Sequence, residues 1–452
     1  MRWEETRRRR RMLDGTWRTD METRLHEHLG LVRRAAWGPT SLALNPFRNI
    51  CRELAVLYDS PPDVSHEDTA AAKIIADALH EAGAWGLMQR VQVYTIGCRE
   101  FLLRADVEGD RVLLRPVPPD MVRVDPLPAR PDTPGRIREW RRRKDDAGPV
   151  DWYEDEIDIR QPAAPVYRVL DSKGEDVSKR WKVDGWPDLW RRVDGSPFLP
   201  TVLYHAQRTG DRIWEPYDGI ELVEASLDLA VLHAMMVHTF RDASWPQRYG
   251  VDVEVVGTNT TDTTMGSRSE IVTDPSTLLM LQRRADSEAQ PLIGQWQPGG
   301  DVAVMEETLS NLVARVAQDA GVPPSDVQRL GGTARSGVAI SLTNEGKRAA
   351  QRRFAETFRA ADEQLVSIVA SMLGRSMSVA LPERGYEVMY REIPLSPDEL
   401  RARREHALAM VQAGLMSRAE AYRETHPGVT LERARREVEM LATNPGGEDG
   451  GR

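Results

Sequence analysis

The sequence predicts an α+β chain that opens with short helices, continues β-rich and ends in long helices. Three observations carry that expectation. Apolar runs of strand-like composition, bounded by Gly and Pro, cluster between residues 91 and 204. Apolar residues at helical spacing fill 219–240, 301–320 and 338–373. Helix-start signatures recur near the C-terminus, at 396–399 and 417–420.

Residues 2–29 are charged and periodic, which predicts helix. The basic run from Arg7 to Arg11 is interleaved with Glu4, Glu5 and Asp14, so a solvated helix face is preferred to a nucleic-acid arm. Asn45-Pro46-Phe47 opens a helix through Leu57, closed by Ser60-Pro61-Pro62. An amphipathic helix over 68–82 ends at Gly83. The period then changes: 91–107 and 111–117 read as strands around a Glu108-Gly109-Asp110 turn. Strands are also expected at 152–159, 166–170 and 201–204, the last after a turn at 195–200. Glu154, Glu156 and Asp158 alternate along one strand face, and a solvent-facing strand edge is preferred to a catalytic carboxylate pair.

The helix over 219–240 is apolar on most faces and must be buried nearly all round. Trp245-Pro246 stops it, and 248–300 carries short β-like runs at 251–256 and 278–281 around a polar stretch, 257–269. Asp301 caps the next helix, in which Val302, Met305, Leu309, Leu312 and Val316 form a coiled-coil-like seam. Gly321, Pro323 and Pro324 end it. The third long helix, 338–373, buries Phe354, Phe358, Ala361, Leu365, Ile368 and Met372, with Gly346 as a kink point and Gly374 at its C-cap. A strand at 386–392 precedes three capped helices, the last capped by Thr430, and the final nine residues have a disordered composition.

At 452 residues the chain has length for two or three domains. No apolar run reaches the roughly 20 residues of a membrane helix, so no membrane partner is expected. The N-terminal basic run has no apolar stretch behind it, unlike a secretory signal. Cys51 and Cys98 are the only cysteines, which excludes a disulfide framework and a cysteine zinc site. Neither His26/His28 nor His233/His238 has the spacing that places two ligands on one helix face. No metal, cofactor or catalytic residue is expected. A net charge of −9 argues against a protein that grips DNA by neutralising phosphates.

The stretch GVPPSDVQRLGGTARSGVAISL joins the second and third long helices. Gly332 and Gly337 have the GxxxxG spacing of a phosphate loop, yet Val338-Ala339 stand where Lys and Ser/Thr would be. Such a loop also follows a strand, and this one follows a helix. No ATP site is expected. The loop is long for a plain connection, which points to a functional segment. Its residues Gln328, Arg329, Gly331, Gly332, Thr333, Arg335 and Gly337 combine backbone freedom with two cationic side chains.

The order of parts resembles the portal protein of tailed double-stranded DNA bacteriophages, of the long-tailed type. NPFRNICRELAVLYDSPP, SPFLPTVLYH leading into DGIELVEASLDLAVL, and the Gly-rich stretch carry the likeness, which runs from about Asn45 to Leu441. The resemblance implies a portal-type fold and a homo-oligomeric ring, usually dodecameric, at one capsid vertex of the virion, assembled in the host cytoplasm. It implies a wing over 1–217, stem helices over 218–244 and 301–321, and a clip over 245–300. A tunnel loop over 322–337, a long helix and wing strand over 338–394, and a helical crown over 395–452 complete it. The implied partners are double-stranded DNA in the channel, terminase, major capsid and scaffolding proteins, and the head-tail adaptor. The basic N-terminal run receives no role from the resemblance. Two other readings stay open: an α+β enzyme with an unrecognised active site, and a nucleic-acid-binding module using the basic run.

Overall fold

The computed structural model describes residues 2–29, 44–144, 150–181, 188–210, 212–214, 220–244, 247–251, 253–255, 281–283, 290, 292–296, 301–324, 327, 337–393, 397–425 and 431–443. The chain is a mixture of helix and sheet, as expected for α+β. It divides into two compact units. One is built from Met1–Trp17, Pro46–Val223 and Val316–Arg452, the other from Arg18–Asn45 and Glu224–Arg315.

In the first unit, α1 (Arg2–Asp14) ends at Gly15, whose φ of 81° turns the chain. The helix that follows, α2 (Arg18–Leu29), belongs to the second unit. Next come α3 (Pro46–Leu54), β1 (Asp63–Ser65) and α4 (Thr69–Glu81). Asp68 caps α4 by accepting from the amides of Ala70 and Ala71, both at 3.0 Å. The expected strand over 91–107 is only partly found, because Ala84–Cys98 is a helix, α5, and the strand begins at Glu100. Val91, Val93, Thr95 and Ile96 are β-branched, which gives the run a strand-like composition. Packing against α1 and α3 decides for helix. Gly97 allows the close approach, since a Cβ there would lie 2.8 Å from Leu13 Cδ1.

Antiparallel sheet follows. β2 (Glu100–Glu108) lies between β3 (Arg111–Val117) and β8 (Thr201–His205). A meander of β4 (Val122–Leu127), β5 (Arg130–Lys144), β6 (Val150–Asp158) and β7 (Val166–Leu170) forms a four-stranded sheet. The expected solvent edge at Glu154, Glu156 and Asp158 is overturned, because β6 is paired on both sides. Glu156 is 3% exposed and takes ion pairs from Arg136 and Arg168 on the neighbouring strands. On the other face, Arg104 of β2 is buried with its guanidinium 3.1 Å from Asp106 and 3.4 Å from Asp155, over the Trp190 ring. A buried charge is tolerable only when paired in this way.

A short α6 (Ser178–Trp181) precedes β8, and α7 (Ile220–Ser244) follows it. The second unit then forms two β pairs: β9 (Gln247–Val251) with β12 (Leu292–Trp296), and β10 (Val253–Val255) with β11 (Leu281–Arg283). The return is α8 (Val302–Asp319). After it, α9 (Gly337–Ser376) runs 40 residues, about 60 Å at the usual rise per residue, unbroken at Gly346. Its stripe of Phe354, Phe358, Ala361, Leu365, Ile368 and Met372 is buried as expected, and the helix packs on β2 and β8. It does not stop before Gly374. Ser378, at φ 54°, takes the left-handed position instead, and Gly374 leaves room for Val379 O, 3.0 Å from where a Cβ would sit. β13 (Glu387–Met389) pairs with β1, and α10 (Pro397–Gln412), α11 (Arg418–Thr425) and α12 (Leu431–Thr443) form the tail. The expected capping box on α11 is present: Glu420 N–H donates to Ser417 Oγ at 3.2 Å and Ser417 N–H to Glu420 Oε2 at 2.8 Å. Ser396, Thr430 and the last nine residues lie outside the described residues.

Candidate functional site

The Gly-rich segment starts where α8 ends. Asp301 caps that helix by accepting from Ala303 N–H at 3.0 Å. At the far end Gly321, φ 74°, lets the amides of Gly321 and Val322 return to Gln318 O and Ala317 O, both at 2.9 Å. Val322 and Val327 are buried. Asn49 Nδ2 reaches Val327 O at 3.5 Å, and Gly346 of α9 lies beside Pro323. The start of the segment is therefore held by the first unit. Gln328, Arg329, Gly331, Gly332, Thr333 and Arg335 lie outside the described residues, as does the polar stretch 257–269, and Gly337 is the first residue of α9.

Of the α8 seam, Val302, Leu309, Leu312 and Val316 are half-buried and Met305 is 37% exposed. Full burial falls instead on Val313 and Ala317. The α7 helix buries Val223, Leu227, Ala230, Val231 and Ala234 while Leu232, Val237 and Phe240 stay exposed, so within one chain it is not covered all round. One polar contact of α7 is with α2, where Arg24 Nε donates to Asp228 at 2.7 Å and its Nη2 lies 3.3 Å from Glu224. These carboxylates raise the Arg24 pKa. By length and composition Glu221–Phe240 suffices to cross a membrane, contrary to the expectation that no run is long enough.

The basic run on α1 is not a uniformly solvated face. Arg9 is 2% exposed, donating to Gly97 O at 3.1 Å and Glu5 at 3.0 Å. Arg10 makes a two-pronged contact with buried Asp120 at 2.9 and 2.7 Å, and Arg2 pairs with buried Glu100. Residues that alternate charge in sequence thus divide into an inner and an outer face.

One constellation had no signal in the sequence. Asp362 of α9, fully buried, accepts from Tyr58 Oη at 2.7 Å, Tyr204 Oη at 2.9 Å and Tyr390 Oη at 2.6 Å. Burial pushes its carboxyl up to about 6, against the pull of the three hydroxyls. Burial likewise raises the tyrosines. Asp362 itself is sealed from solvent, and the centre ties the chain after α3, β8 and the β13 segment to one helix. Its four residues are spread over more than 300 positions, which no local spacing reveals.

Cys51 and Cys98 are buried, and burial pushes the Cys51 thiol up to about 12. Among the described residues no group of three His, Cys, Asp or Glu side chains is arranged to hold a metal ion.

No protein-family model matches the chain, and no curated protein matches it. Among solved structures, a chain of "Virion of native gene transfer agent (GTA) particle" aligns with a TM-score of 0.40 and 13% identity, covering 85% of this chain and 92% of that one. A chain of "Neck of empty GTA particle computed with C6 symmetry" aligns with a TM-score of 0.41 and 15% identity, over 85% and 93%.

Proposed function

We propose that this chain is a phage portal protein, a ring-forming structural component of a virion rather than an enzyme. The observation that carries the reading is the sequence of elements around the second unit: a 25-residue helix, a small β insert, a returning helix, then a 40-residue helix. That is the order the resemblance implies for stem, clip, stem and wing-spanning helix. Its support is topological, and the exposed apolar residues of α7 and α8 add a physical reason for subunits to meet.

In this reading twelve subunits enclose a channel for DNA packaging and ejection. The insert faces terminase and later the head-tail adaptor, while capsid and scaffolding proteins meet the wing. Residues 322–337 face the channel, with Arg329 and Arg335 as the DNA contacts. A net charge of −9 suits a wall along which phosphate slides without sticking. Negative-stain microscopy of the purified chain is the direct test. A ring with a central hole is expected, and a compact single globule at every concentration rejects the reading.

A further inference from the structure

A cavity of about 180 Å³ lies in the first unit where α1, α3, α5, α9 and the end of α8 converge. Its apolar lining includes Phe47, Ile50 and Leu54 of α3 and Phe354 of α9. Three arginines, Arg9, Arg99 and Arg353, also line it, together with Gln207. Asp319, at the last turn of α8, is the single carboxylate among the described lining residues.

The three arginines differ. Arg9 already donates to Glu5 and to Gly97 O. Arg99 and Arg353 come from separate elements, and the Arg353 guanidinium stacks over Phe354 at 4.6 Å. Burial, and then the charge of Arg99, hold Arg353 below the ordinary arginine range. The charge of Arg99 is thus felt at Arg353, and an anion placed between two guanidinium groups lowers their repulsion. Arg99 also sits at φ 74°, ψ −32°, a conformation in which glycine is at ease and an L side chain is strained. Strain of this kind persists where the side chain is wanted at one point in space.

We infer that this cavity binds a phosphate-class oxyanion through Arg99 and Arg353, with Arg9 as a fixed positive charge behind it. The recess has room for several water-sized groups and so admits a tetrahedral oxyanion. Paired guanidinium donors suit such a ligand. The anion comes either from free phosphate or from a polynucleotide backbone. The inference does not depend on ring formation.

Calorimetric titration of the full chain with inorganic phosphate, against chloride at equal ionic strength, tests it. Saturable binding is expected, weakened about tenfold or more in Arg353→Ala. Arg99→Gly should lose binding equally while its melting temperature holds or rises, because glycine relieves the backbone. That separates a lost site from a lost fold. Asp319→Asn removes the competing carboxylate and should tighten binding. A short single-stranded oligonucleotide identifies the source. Binding that phosphate displaces assigns the site to nucleic acid, and no oligonucleotide binding assigns it to the free ion. Failure of both ligands to saturate, or equal phosphate affinity in wild type and Arg353→Ala, overturns the inference whatever microscopy finds about rings.

Discussion

At Asp362 burial raises the carboxyl to about 6, whereas an unfolded aspartate titrates near ~3.9. The folded state therefore binds this proton more tightly. Stability from this group is fully present below about pH 4, is lost as pH rises through about 6, and is flat above that. The loss amounts to roughly 3 kcal/mol. His205 works in the opposite sense: burial lowers it to about 4, so its contribution is present above its unfolded value of about 6.5 and lost as pH falls. The difference between wild type and Asp362→Asn cancels the histidine. Urea midpoints are expected to show that difference growing from pH 4.5 to 7.5, in favour of the variant. A constant difference would contradict the assignment. A second residue prediction concerns the basic run. Arg9→Met leaves Gly97 O without its buried donor and should cost about 1–3 kcal/mol. Arg7→Ala, on the exposed side, should change the melting free energy by no more than about 0.5 kcal/mol. Equal effects would restore the solvated-face reading of the run.

Among the elements, α9 carries the core of the first unit. Phe358 is fully buried, with its ring 5.6 Å from that of Tyr204 and 6.2 Å from that of Tyr58. Phe358→Ala should cost about 3–5 kcal/mol in chemical denaturation, and a cost near that of a surface change would mean the stripe is not the core. This helix was legible because its apolar stripe repeats at helical spacing over five turns. So were α4, with its Asp68 cap, and α11, with its capping box, since local chemistry sets their ends. Other elements hid for physical reasons. The strand β5 is the longest among the described residues, yet its Arg136, Arg138, Arg141, Arg142 and Arg143 mask any alternation. Its buried face includes Glu139, balanced by Arg104 and Arg115, so charge pairing replaces hydrophobicity as the signal. The second half of α5 hid because its β-branched Val91, Val93, Thr95 and Ile96 favour strand by composition. The Asp362 centre and the arginine cavity are products of tertiary assembly.

At the scale of the whole molecule, the proposed ring makes separable demands on α8. Met305 is exposed within one chain, so Met305→Asp should leave the melting of the unassembled protein unchanged. If the seam lies between subunits, the same change should shift the mass distribution from rings to single chains. Rings of normal mass in Met305→Asp would remove Met305 from the interface. The division of the first unit into three stretches of chain has a consequence for synthesis. Its core closes only when Tyr58, Tyr204, Asp362 and Tyr390 are all present. On a ribosome adding about 5–20 residues per second, β2 is finished long before α9 emerges to cover it. Its apolar face then waits uncovered for roughly 10–60 s, an interval in which a nascent chain needs a chaperone, or a neighbouring nascent copy, to keep it from aggregating.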